Sequence, residues 1–112
     1  VIYMPVVTIN NPESEQAVYD FLNDLKPVAF ELCWSNLESE VPAKLEKALK
    51  GRALIWYNTL WDWLCAGHND DKAVEDPDGT WGYMIDTLGA RMLQTDRPQL
   101  MIEYLRSRNL HE

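Results

Sequence analysis

Apolar positions along this chain switch period repeatedly, from every second residue to every third or fourth, and each switch is bracketed by proline, glycine or a capping residue. Ile2-Tyr3-Met4-Pro5-Val6-Val7-Thr8-Ile9 is rich in strand formers, carries Pro5 near its start, where a missing N–H does least harm, and stops at Asn10-Asn11-Pro12. Asn11 is placed to cap a helix with Pro12 at its first position, and Val18, Phe21, Leu22 and Leu25 then share one face before Pro27. Residues 28–34 alternate large Val28, Phe30, Leu32 and Trp34 with Ala29, Glu31 and Cys33, which predicts a strand covered on both faces. A second helical stripe runs through Leu37, Val41, Leu45, Ala48 and Leu49, with Pro42 in its first turn and Gly51 as its stop. Residues 53–58 predict a third strand, 78–88 a third helix and 90–95 a fourth strand. Asp96 and Pro98 then open a last helix bearing Leu100, Met101, Tyr104, Leu105 and Arg108.

The order is βαβαβαβα, a unit recurring about every 28 residues, and it predicts a parallel sheet within one α/β domain spanning residues 1–112. Right-handed crossovers allow an open doubly wound sheet or a sector of a (βα)₈ TIM barrel. An open nucleotide-binding sheet calls for a glycine-rich first turn, and Asn10-Asn11-Pro12-Glu13 stands there instead, so the barrel is favoured over a flavodoxin-like domain binding a phosphorylated small molecule. A whole barrel takes about 250 residues, so four units amount to half of one. Half a barrel has two bare edges and an exposed inner face. The chain is therefore expected to meet either the N-terminal half of the same barrel or a second copy of itself.

Ten basic against eighteen acidic residues, with no lysine-arginine stripe, disfavour nucleic acid as a partner. No apolar run approaches the roughly 18 residues of a membrane span, and the apolar start at Val1 lacks a basic region or cleavage pattern, so the chain is expected to have been cut or matured there. Cys33 and Cys65 lack zinc spacing and read as small core residues; they leave the compartment open.

Five segments carry a resemblance: Phe30-Glu31-Leu32; Arg52 through Trp61 with its Trp-Tyr-Asn-Thr-Leu-Trp core; Ala66-Gly67-His68-Asn69-Asp70-Asp71; Glu75-Asp76-Pro77-Asp78; and Gln94-Thr95-Asp96-Arg97-Pro98 with Tyr104-Leu105. In motif and order they resemble the C-terminal part of the glycerophosphodiester phosphodiesterase family of (βα)₈ barrels. The resemblance implies hydrolysis of a glycerophosphodiester to glycerol phosphate and an alcohol, with a divalent metal, calcium or magnesium, polarising the phosphoryl oxygens and histidines moving protons. The family's His-Arg-Gly segment, Glu-Asn pair and metal-binding carboxylates lie in its N-terminal half and have no counterpart here. Metal ligands are thus expected outside this segment, which alone should be inactive and should supply pocket wall and loops.

Substrate-binding candidates are Glu31, Trp56, Asn58, Trp61 and Arg97. Glu31, between apolar neighbours, would point into the barrel mouth, or else form a buried ion pair with a cation of the other half. Trp56 and Asn58 share one face of the third strand, Asn58 at its carboxyl end as a donor to a polyol; core packing is the competing role for Trp56. Trp61 and Trp63 open the long 59–79 segment and either cover the site or anchor that loop. His68 with Asp70 and Asp71 hints at a metal or acid-base cluster, against the commoner solvated loop. Asp76-Pro77-Asp78-Gly79 lacks EF-hand spacing and reads as a turn before a helix. At the end of the fourth strand Arg97 is the group expected to favour an anion, with Asp96 as a helix cap.

Overall fold

The computed structural model describes residues 4–111. Four strands, β1 (Val6–Thr8), β2 (Ala29–Cys33), β3 (Leu54–Asn58) and β4 (Ala90–Gln94), lie in sequence order in one sheet, and every neighbouring pair is parallel. Helix α1 (Pro12–Asp24) links β1 to β2 and α2 (Val41–Leu49) links β2 to β3. Between β3 and β4 come α3 (Asp62–Cys65), α4 (Asp70–Glu75), a π-helical turn (Asp78–Gly82) and α5 (Tyr83–Asp86); α6 (Pro98–Ser107) follows β4. The α/β order of four βα units thus stands as the sequence predicts. The first predicted strand is shorter than expected among the described residues, and Ile2 and Tyr3 fall outside them.

Local signals explain most boundaries. The Asn11 side chain accepts from Ser14 N–H at 3.1 Å and Pro12 opens α1. Pro42 opens α2, and Gly51, at φ 77°, turns the chain out of it. Pro5 leaves only its carbonyl to the sheet, which accepts Glu31 N–H at 2.9 Å. The third helix departs from expectation: in place of one α-helix over 78–88, the Gly82 N–H reaches back to Pro77 C=O, giving a π turn before the four residues of α5. Gly82 leaves room for the Tyr104 hydroxyl, which a Cβ there would meet at 2.5 Å.

One face of the sheet carries the core. Val7, Ile9, Phe30, Leu32, Trp34, Ile55 and Tyr57 join Val18 and Leu22 of α1, Val41, Leu45 and Leu49 of α2, and Met84 and Leu88 in a single apolar cluster. A smaller cluster of Ala73, Trp81 and Met101 seats α6. The alternate side chains point the other way and join neither cluster: Val6 and Leu54 are exposed, Glu31 and Trp56 half-buried. On that face only the short Ala29 and Cys33 and the hydrogen-bonded Asn58 are buried among the described strand residues. Helices therefore cover one face, while β2 is buried on both except at Glu31, as its composition suggests.

Four predicted apolar-face positions lie outside: Leu100, exposed within α6, and three at the ends of elements. Leu25 and Val28 flank the turn at Lys26, which takes φ 46°, and Leu37 precedes α2; all three are exposed. Periodicity continued past the true ends of the elements. Leu45→Ala, at a fully buried position, is expected to cost about 2–5 kcal/mol, whereas Leu37→Ala should cost less than about 0.5 kcal/mol, both read by chemical denaturation of the intact protein.

Candidate functional site

Parallel register brings three of the five candidates onto the uncovered face. Val6 pairs with Glu31, Glu31 with Trp56 and Trp56 with Met92, forming one row across the sheet. Asn58 pairs with Gln94 toward the carboxyl ends. The Asn58 amide donates to Gln94 Oε1 at 3.1 Å and its Oδ1 accepts Leu60 N–H at 2.9 Å, so this side chain both closes the strand end and sets an amide row at the rim. Glu31 is half-buried and makes no ion pair among the described residues. Trp56 is half-buried and not part of either core.

The other two candidates stand apart from that row. Trp61 is 52% exposed and stacks on Trp63, itself 62% exposed, with ring centroids 5.4 Å apart, so the pair does not anchor its loop in the core. Arg97 bridges to Asp71 at 2.8 Å, both exposed. Arg97, not Asp96, is the residue flanking α6, and no side chain caps that helix. The expected Asp96 cap is displaced because the Asp96 N–H is held by Asp70 Oδ2 at 2.9 Å and the Arg97 N–H by Thr95 Oγ1 at 2.9 Å.

Asp70 is the residue that sequence reasoning undervalued. It is 2% exposed, and its carboxylate accepts from Thr59 Oγ1 at 2.6 Å, Trp81 Nε1 at 3.0 Å and the Asp96 N–H. Its own N–H donates to the Thr59 carbonyl at 2.9 Å. One carboxylate thereby ties the end of β3, α4, the π turn and the β4–α6 connection together. Burial pushes its pKa up, but the Thr59 hydroxyl and Asp96 N–H outweigh that and hold it below the usual carboxylate value. Asp96, facing it, is pushed the other way by the Asp70 carboxylate. The partners lie 11 and 26 residues away in sequence, and no local pattern announces them.

The His68, Asp70, Asp71 group does not converge. His68 lies half-buried between the rings of Trp34 and Tyr83, with centroids 5.7 Å and 4.8 Å away. Neither ring nitrogen reaches water or a well-formed hydrogen bond. Burial lowers its pKa, opposed by the Gly79 backbone through a contact too poor in geometry to satisfy the ring. Asp76 accepts Gly79 N–H at 3.1 Å, the turn expected of that acidic segment. No group of three or more His, Cys, Asp or Glu among the described residues is arranged to hold a metal. The uncovered face offers one carboxylate, Glu31, and the amides Asn58 and Gln94, fewer oxygens than a calcium or magnesium ion takes. Both cysteines are buried and free; burial, aided by Asp62, pushes the Cys65 thiol up to about 12.

Asp70→Ala is expected to destabilise by about 3 kcal/mol or more, since three donors lose their acceptor in a dry site, with Asp71→Ala near neutral as the control. For His68 the folded pKa lies below the unfolded one, so its contribution to stability is complete above about 6.5 and is lost as pH falls from there. Melting temperature should accordingly drop from pH 7.5 to 5.5, and His68→Phe, which keeps the stack, should flatten that decline.

No curated protein matches the chain. No helix among the described residues is long and apolar enough to cross a membrane. A family model described as a domain of unknown function, DUF4996, matches residues 3–105. With nearly the whole βα series inside that match, the chain belongs to the DUF4996 family.

Proposed function

We propose that this domain is the C-terminal half of a (βα)₈ barrel that hydrolyses glycerophosphodiesters to glycerol phosphate and an alcohol. The observation that carries the reading is the sequential strand order with helices on one face only. Doubly wound sheets reverse their strand order at a switch point and thereby cover both faces, whereas a barrel winds every helix to the outside. On this reading the face bearing Val6, Glu31 and Trp56 is the barrel interior, and the amide row of Asn58 and Gln94 lies at its carboxyl mouth, where barrel enzymes place their ligands.

Each candidate then has a role. Asn58 offers a hydrogen bond to the glycerol hydroxyls, Trp56 walls the pocket, Trp61 with Trp63 covers its rim, and Glu31 supplies an inner carboxylate. Arg97 is held by Asp71 only in an exposed, solvent-screened pair, so it is free to exchange that partner for a phosphate oxygen at the start of α6. A calcium or magnesium ion would polarise the phosphoryl group when bound, with its ligands on the N-terminal half. The residues of this segment bind, orient and exclude water.

The intact protein is expected to release glycerol phosphate from a glycerophosphodiester in a metal-dependent manner, with loss of activity in chelator, and the 112-residue segment alone to be inactive. Glu31→Gln, nearly isosteric and half-exposed, should lower kcat/KM by about tenfold, equal to 1.4 kcal/mol of transition-state stabilisation. Absence of turnover by the intact protein, with the segment dimeric in solution, would instead favour a free-standing half-barrel that self-associates and binds a ligand without chemistry.

A further inference from the structure

On the helix side of the sheet, along β4, a groove of about 560 Å³ opens beneath α6. Its lining is mixed, polar and apolar surface in nearly equal parts, and the apolar part comes from Ile85 after the π turn, Ala90 and Leu93 of β4, Met101 and Leu105 of α6, and Leu110 beyond it. That volume lies in the range of small-molecule sites, about 300–1,000 Å³. Two charged residues border it, Asp86 and Arg91. Asp86 is neutralised by Arg108, whose Nη2 reaches both carboxylate oxygens at 2.9 and 2.8 Å. Arg91 has no carboxylate partner among the described residues; its one bond is from Nη1 to the neighbouring Ala90 carbonyl at 3.0 Å.

The position of Arg91 has a specific backbone cause. Ile55 pairs with Ala90 but the next residue, Trp56, pairs with Met92, so Arg91 is an extra residue in β4. Regular alternation from Ala90 would send residue 91 to the uncovered face and 92 to the helix side. The bulge instead leaves Arg91 bordering the same groove as Ala90 and Leu93, and puts Met92 beside Trp56. A guanidinium without a counter-ion among the described residues, re-aimed by a bulge over a trough with an aliphatic side, matches a ligand with an anionic planar head and an apolar tail.

We propose that this groove binds a medium-chain fatty-acid carboxylate, its chain along Leu93, Met101 and Leu105 and its head on Arg91. The site does not depend on the phosphodiesterase reading, since it lies on the helix side of the sheet, outside the uncovered face.

Titration calorimetry of the intact protein with decanoate, kept below its micelle concentration, tests this against decanol and decyltrimethylammonium. Saturable one-to-one binding of decanoate is expected, with decanol about tenfold weaker and the cation without measurable binding. Arg91→Ala, an exposed substitution that leaves the core untouched, should weaken decanoate about tenfold and leave decanol unchanged. Leu105→Trp, which narrows the trough, should weaken both. Equal binding of all three amphiphiles, decanoate binding unaffected by Arg91→Ala, or no saturable binding would each overturn the assignment.

Discussion

The constraint on which the rest depends is that a parallel sheet in sequence order receives all its helices on one side. Every apolar side chain pointing that way finds cover, and Phe30, Leu32, Trp34 and Tyr57 are fully or almost fully buried. Each side chain pointing the other way is left to neighbours in the sheet, and Val6 stays 62% exposed. A sheet with such a face, and with β1 and β4 as its edges among the described residues, presents unpaired backbone and apolar area that another set of strands would satisfy.

Asp70 shows how the carboxyl end is kept in register despite a long β3–β4 connection. A dry carboxylate has to be matched by donors, and the three it receives come from three separate segments. The polar rim is therefore built on a fixed platform. His68, by contrast, is packed as an aromatic ring between Trp34 and Tyr83, and its proton chemistry counts against stability in acid.

What could be read from the sequence was what local physics decides. Asn11, Pro12, Pro42 and Gly51 act within a turn of their own positions, and the four strands follow from β-rich runs between such signals. The shared face of Trp56 and Asn58 follows from a period of two, and register adds Glu31. Long-range bonds stayed hidden: Asp70 looked like one more loop acid, and Asp96 looked like a cap because nothing near it in sequence shows that its N–H is already taken. The bulge at Arg91 was equally silent, since it is a property of pairing between β3 and β4 and not of either strand alone.

The central claim is that the uncovered face and open edges are interior in the intact protein. Hydrogen exchange of the backbone amides in β1 and β4 measures this most directly. Slow exchange along both edge strands, comparable to β2, is the result expected if further strands close the barrel. Rapid exchange of the outward amides of β4 in the intact protein, alongside slow exchange in β2, would contradict it.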